Sequence, residues 1–486
     1  MIKNRFLSGF LVICTLLFTS SPCASAQGPS VGVHLRGVRA CRISLLYLTR
    51  NGTFSQVMEL NDIQNGGTGS LKVENDYLPG EFILRFDYTE TPAGISYPSE
   101  KRIFISNQDL ELWVNPKYCS NTDSTRFQEG ERENRAFEEF ANKSFPQREK
   151  IALLQQFLMN YDDTRSKFFR VGISEYEKQR KSYNRWLTNR IIEDRDLFVS
   201  SLYRFQYIPF QIWEGTETER SISMIDHYFD EMDFTDPAVI KTSLMNEWMN
   251  NYVNLYGQLA ATAALRDSLI PEAGRKAIEK ARSGHPEVYG WMVDYFYRGF
   301  EVNNIPAGMK VLEPYISDPH CLTFKKSEIE RRLKGLKTLI AGSKAPEIEL
   351  NETNGPVFNL YACNPSSRYL LLFFWSADCS HCKETIEKLY QWQQQPEVNK
   401  ELTVVAISLD ETETEIKSWQ RIIEKYNNWV HLRAPEGVRS KVAADYFVLS
   451  TPLMILLDAG TKEITDLPDT LLELKTYLHT GKQTDN

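Results

Sequence analysis

The apolar and polar positions change period twice along the chain. Val31-Gly-Val-His-Leu, Ile43-Ser-Leu-Leu-Tyr-Leu, Ser70-Leu-Lys-Val, Glu81-Phe-Ile-Leu-Arg-Phe, Arg102-Ile-Phe-Ile and Leu110-Glu-Leu-Trp-Val are short extended runs. Arg50-Asn51-Gly52, Asn65-Gly66-Gly67 and Pro79-Gly80 separate them as turns. This spacing predicts a small antiparallel β-sandwich over residues 27–119. From there to 341 apolar residues recur at three and four: Ile151, Leu154, Phe157 and Leu158, then Met245, Trp248, Met249, Tyr252, Leu255 and Tyr256. That period predicts amphipathic helices whose Trp, Tyr and Met stripes are packed core. Breaks fall near Pro237, Pro271 and Pro286, and there is no fixed-period repeat. Residues 342–486 alternate strand and helix. Arg368 to Trp375, Leu402 to Leu409 and Leu453 to Asp458 are apolar runs. Helical patterns follow over 379–395, 414–426, 439–447 and 469–478. The alternation predicts a central sheet covered by helices, so the whole is multidomain: β-sandwich, all-α middle, α/β end.

The first 26 residues have the layout of a secretory signal. Lys3 and Arg5 precede an apolar run from Phe6 to Phe18, and Ala24-Ser25-Ala26 offers a cleavage site before Gln27. Export to the periplasm is expected. Lipidation at Cys23 is disfavoured because Ser20-Ser21-Pro22 is a poor lead-in. No later segment reaches the ~18 apolar residues of a membrane span, so no stable span is expected after cleavage. Composition is that of a globular protein, 42% hydrophobic and 25% charged. A net charge of −8 argues against a nucleic-acid partner, which needs clustered Lys and Arg.

Export makes disulfides permissible. Cys41, Cys119, Cys321 and Cys363 each stand alone, and Cys41 with Cys119 could at most form a static bridge. Cys379 and Cys382 differ. In Phe373-Phe-Trp-Ser-Ala-Asp-Cys379-Ser-His-Cys382-Lys-Glu an apolar strand feeds a turn, and a helix begins at the first Cys. Unpaired N–H groups at a helix start favour a thiolate there. Cys382, one turn on, can reach back to the same sulfur. His381, when protonated, favours the Cys379 thiolate, and Asp378 opposes it. A lone Cys-x-x-Cys is half a zinc site, and no second pair exists. Haem attachment needs His after the second Cys, where Lys383 stands. No cofactor or metal is expected, and no phosphate-binding fingerprint appears.

The Phe-Trp-x-x-x-Cys-x-x-Cys-Lys run, the strand spacing and Ser450-Thr451-Pro452 resemble the thioredoxin fold over 342–478. Gly342-x-x-Ala345-Pro346 and Ala406-Ile-Ser-Leu-Asp410 are most similar to the envelope thiol–disulfide oxidoreductases related to cytochrome-maturation thioredoxins. The N-terminal strands, with Pro79-Gly80-Glu-Phe-Ile-Leu and Glu133-Asn134-x-x-Phe137, resemble the β-domain that precedes such modules. The resemblance implies that Pro452 is cis and faces the dithiol. It implies that the backbone of Thr451 pairs with a substrate strand, and it places Trp375 beside the substrate. Catalysis would fall to Cys379, Cys382, His381 and Pro452. The acid of thioredoxin itself is Phe373 here, and that of the envelope relatives is Thr385. Glu384 and Asp410 are the candidate proton acceptors for Cys382.

Two function classes follow. One is a periplasmic thiol–disulfide oxidoreductase whose partners are envelope protein thiols or disulfides, fed by a membrane electron donor if it acts as a reductase. The other is an envelope binding or scaffold protein whose thioredoxin-like module holds an inert disulfide.

Overall fold

The computed structural model describes residues 28–484 apart from 93, 122, 304, 353–354 and 449–450. The secretory signal over 1–26 with Cys23, the expected first mature residue Gln27, and Ser450 lie outside the described residues. The chain divides into two compact units. The first runs to Gly215 and takes in Asp230–Met232 and Ala238–Asn250; the second holds Thr216–Phe229, Asp233–Pro237 and everything from Asn251.

The first unit contains strands β1 (Ser30–Leu35), β2 (Ala40–Leu48), β3 (Phe54–Gln64), β4 (Thr68–Lys72), β5 (Gly80–Thr89), β6 (Tyr97–Ile105), β7 (Leu110–Val114) and β8 (Thr125–Phe127). They form two four-stranded sheets, ordered β4-β1-β7-β8 and β3-β2-β5-β6. All pairings are antiparallel except that of β1 with β7. Alternation places Val31, Val33, Ile43, Leu45, Phe82, Leu84, Phe86, Leu112 and Val114 in one shared core. β3 escaped the sequence pattern because few of its side chains are well buried.

Helices α1 (Glu133–Met159), α2 (Lys167–Glu193) and α3 (Phe198–Leu202) belong to this unit. The motif Glu133-Asn134-x-x-Phe137 has a structural reason. Asn134 accepts from the Phe104 N–H and donates to its carbonyl, both at 2.8 Å, as a strand neighbour would. Phe137 packs on Phe104 with ring centroids 4.5 Å apart. The carboxylate of Glu133 accepts the N–H groups of Phe198 and Val199, which open α3. Glu81, fully buried after the cis peptide Leu78–Pro79, is satisfied by Arg102, Thr242 and Ser243.

The second unit contains α4 (Glu217–Asp226), residues 251–259 of α5 (Ser243–Leu259), whose start belongs to the first unit, α6 (Ala263–Arg282), α7 (Pro286–Val302), α8 (Pro306–Ile316) and α9 (Lys326–Thr338). Met245, Met249, Tyr252 and Tyr256 of α5 are buried, as the stripe predicts. The chain then forms a hairpin, β9 (Glu349–Asn351) with β10 (Val357–Asn359), and a five-stranded sheet. The sheet strands are β11 (Tyr369–Trp375), β12 (Leu402–Ser408), β13 (Val430–Arg433), β14 (Leu453–Asp458) and β15 (Ile464–Asp466), ordered β13-β12-β11-β14-β15. β12 is parallel to β11 and β13, while β14 runs against β11 and β15. The helices are α10 (Ser380–Gln393), α11 (Pro396–Glu401), α12 (Glu413–Ile423), α13 (Lys441–Asp445) and α14 (Leu471–Thr484).

Every residue of β11 is buried, because the strand is central and covered on both faces. Leu370, Leu372 and Phe374 share one layer with Ile348, Val442 and Tyr446. Leu371, Phe373 and Trp375 share the other with Cys382, Ile386, Leu389, Trp419 and Leu474. α9 reaches this fold as well. The Arg332 guanidinium donates to the Phe447 carbonyl at 3.3 Å, and Phe447 has a φ of +50°. The Phe447 ring lies so close to Gly335 that a Cβ there would stand 2.4 Å from its Cγ.

Candidate active site

The site forms where β11 ends. The carbonyl of Trp375 accepts the Leu409 N–H at 2.9 Å, continuing the pairing of β11 with β12. Ser376, Ala377 and Asp378 then turn the chain, and the Cys379 N–H donates back to the Ser376 carbonyl at 3.2 Å. Cys379 has extended dihedrals, φ −82° and ψ 111°, and is the N-cap of α10. Its sulfur accepts the Cys382 N–H at 3.1 Å, one of the donors a helix start leaves unpaired. The two sulfurs are joined in a disulfide, with the Cα atoms 5.2 Å apart. Cys379 is partly exposed and Cys382 is fully buried.

The loop before β14 faces this pair. The Thr451–Pro452 peptide is cis. The sulfur of Cys379 lies 3.6 Å from the Thr451 carbonyl oxygen. Thus Cys379, Cys382 and Thr451 come together, with Pro452 next to Thr451 in the chain. His381 and Asp378 are exposed on the first turn and the preceding bend.

Trp375 departs from the expectation. Its side chain is 0% exposed and packs beneath the dithiol with Phe373 and Ile386. It therefore forms the floor of the site and has no face to offer a substrate. Strand alternation carried the signal, since Trp375 lies on the same side as Leu371 and Phe373.

Both candidate proton acceptors are engaged by other partners. Glu384 is exposed and bound to Lys388 at 2.6 Å, which holds its carboxyl below the usual range. Asp410 is fully buried and accepts from Ser376 Oγ at 2.7 Å, the Ala377 N–H at 2.9 Å and Ser408 Oγ at 2.7 Å. Thr385 is buried beside Cys382 on α10. No residue in these positions restores the missing acid.

The remaining thiols lie elsewhere. Cys41 and Cys119 are buried and unbridged in the sandwich core. Burial pushes the Cys41 and Cys321 thiols up to about 12. Cys363 packs in the layer on the other face of the central sheet from the dithiol. Its thiol is raised by burial, partly offset by Lys462. His34, isolated in sequence, meets Glu111 at 2.6 Å and stacks on Trp113 at 4.5 Å. Among the described residues no group of three or more His, Cys, Asp and Glu is placed to hold a metal ion.

Residues 367–464 match the family model described as thioredoxin-like. A thioredoxin-like protein from Bacteroides caccae is 22% identical over 55% of this chain and 94% of its own, with a TM-score of 0.37. A thiol-disulfide oxidoreductase from Bacteroides fragilis is 27% identical over 28% of this chain and 99% of its own, with a TM-score of 0.25. A thiol:disulfide interchange protein from a Bacteroides species is 26% identical over 29% of this chain and 90% of its own, with a TM-score of 0.24. No curated protein matches the chain. The C-terminal part is a thioredoxin-like domain, preceded by a β domain and a helical middle.

Proposed function

We propose that this protein is an extracytoplasmic thiol–disulfide oxidoreductase that exchanges disulfides with envelope proteins through Cys379 and Cys382. One observation carries the reading. A partly exposed sulfur caps the start of α10 beside the Thr451 carbonyl, and its disulfide partner is buried one turn behind. Reduced, Cys379 attacks one sulfur of a client disulfide as a thiolate. The client S–S bond breaks, and its other sulfur leaves as a thiolate that takes a proton from water. Cys382 then loses its proton to solvent and attacks Cys379, releasing the second client thiol. Two electrons pass to the client and the dithiol becomes the disulfide. A dithiol donor, supplied in our reading from the membrane, returns the electrons. In the oxidase direction every step runs backwards.

The client strand would pair with the backbone at Thr451, beside Pro452. His381 supports the thiolate from the exposed first turn. The basic start, apolar run and Ala24-Ser25-Ala26 support export, and among the described residues no helix is long and apolar enough to cross a membrane. A mature chain beginning at Gln27 on N-terminal sequencing agrees with this location; a lipid-modified Cys23 would replace it by a membrane anchor.

The test is the reduction potential of the full chain equilibrated with glutathione. A value near about −270 mV assigns the reductase direction, and one near about −120 to −180 mV the oxidase or isomerase direction. A disulfide that neither opens with glutathione nor exchanges with clients overturns the reading in favour of a scaffold with an inert module.

A further inference from the structure

The Asp410 carboxylate is 0% exposed and is the hub of the segment that precedes the dithiol. Oδ1 accepts from Ser376 Oγ at 2.7 Å and from the Ala377 N–H at 2.9 Å. Oδ2 accepts from Ser408 Oγ at 2.7 Å and shares the Ala377 N–H at 3.1 Å. The Asp410 N–H donates to Ser408 Oγ at 3.1 Å, and its carbonyl accepts from Arg433 Nη1 at 3.2 Å. Each of these carboxylate partners is a donor, so its lone pairs are engaged by the turn and by β12. A base for Cys382 would need a lone pair left over.

The contacts lead toward Cys379. Ser376 Oγ, while donating to Asp410, accepts the Asp378 N–H at 3.1 Å. The Ser376 carbonyl accepts the Cys379 N–H at 3.2 Å. Asp410 thus fastens three consecutive residues to the end of β12, and the fourth is the cap of α10. Hydrogen bonds to a buried carboxylate are the strong, charge-assisted kind, which is the type needed to hold a short turn in one geometry.

We propose that Asp410 is a positioning residue of the exchange reaction. It acts through the Ser376-Ala377-Asp378 turn to keep the Cys379 sulfur on the helix start and against the Thr451 carbonyl. This rests on the oxidoreductase reading and deepens it.

The experiment uses the full chain, reduced, with alkylation of Cys379 followed by mass spectrometry across pH and the potential read against glutathione. Asp410→Ala moves the Cys379 titration upward and lowers its reactivity at neutral pH about tenfold, because the sulfur loses its hold on the helix start. A tenfold change in the exchange constant is about 30 mV toward a more reducing couple. Asp410→Asn recovers most of the wild-type behaviour. Its amide oxygen still accepts from Ser376 Oγ and the Ala377 N–H, and the Ser408 hydroxyl can turn to accept from its NH₂. If Asp410→Ala does not fold, the Ser376→Ala/Ser408→Ala double variant carries the test, with a loss of about threefold in the same direction.

An Asp410→Ala protein with wild-type titration and potential overturns the inference, as does an unchanged double variant. So do Asp410→Ala and Asp410→Asn that both lower the Cys379 titration equally, since that is the mark of a lost charge. A wild-type chain that does not exchange at all overturns the oxidoreductase reading, and this inference with it. Exchange in the wild type beside an unaltered Asp410→Ala overturns this inference alone.

Discussion

The backbone N–H of Cys382 donates to the sulfur of Cys379 at 3.1 Å, so the atom that caps α10 is also the atom proposed to exchange. The cap holds a helix end and favours negative charge on the sulfur at the same time. Opening the disulfide therefore leaves a sulfur that already accepts from the helix start.

Burial separates the two cysteines. Cys382 is fully buried and Cys379 is partly exposed. Cys382→Ser is expected to accumulate mixed disulfides with client proteins, and Cys379→Ser about tenfold fewer, since client sulfur reaches only the outer position. Non-reducing electrophoresis after acid quenching reads this out. Equal trapping by the two variants would remove the role assignment.

His381 stands in the first turn of α10, where proline is tolerated. His381→Pro is expected to leave the fold intact and slow alkylation of Cys379 by about threefold, as a side chain able to carry positive charge beside the sulfur is lost. An alkylation rate equal to that of the wild type would remove this role.

The other four thiols are expected to stay out of turnover. Burial raises Cys41, Cys321 and Cys363, and Cys363 lies on the far face of the sheet. Ser at any one of positions 41, 119, 321 and 363 should change exchange with an insulin-type substrate less than about twofold, at a stability cost of about 1–3 kcal/mol where a buried hydroxyl lacks a partner. A large loss in Cys363→Ser with an unchanged melt would make it a third redox sulfur.

His431 links stability to pH. Burial holds its imidazole below the ordinary 6.5, partly offset by the hydrogen bond from Nε2 to the Tyr426 carbonyl at 2.7 Å. The folded state thus favours the neutral ring. Its contribution is fully present above about 6.5 and is lost as pH falls below that value toward the depressed folded one. Thermal melts between about pH 7.5 and 5.5 should show a fall in the wild type that is shallower in His431→Phe. Parallel slopes would exclude His431 as the source.

Gly335→Ala sets two effects against each other. Alanine within a helix gains about 1 kcal/mol over glycine. The new Cβ would meet the Phe447 ring at 2.4 Å, and overpacking of that kind costs about 1–3 kcal/mol. A net destabilisation is expected, measured by denaturant midpoint; a raised midpoint would show that the ring shifts freely.

The sequence was most readable where one physical signal dominated. The unbroken apolar run of β11 and the Cys at the head of α10 placed the dithiol to the residue. The short strands β13 and β15 mix polar and apolar positions and show no period. Trp375 was placed beside the substrate by the resemblance alone, while its parity with Leu371 and Phe373 along β11 carries it into the core. The hub at Asp410 depends on Ser376 and Ala377, more than thirty residues away, and periodicity has no means of reporting such a pairing. His34 and Glu111 are likewise joined only by the register of β1 beside β7.

Phe447 keeps a left-handed backbone, a conformation that costs about 1–2 kcal/mol outside glycine. The Arg332 guanidinium and the bare backbone at Gly335 lie against it. A gene cut at Gly342 would sever the redox fold from that cover and expose an aromatic ring four residues ahead of Thr451. A graft that carries Lys326–Thr338 along keeps the ring covered. As a part that can be moved from one protein to another, the redox fold starts with the last helix of its neighbour.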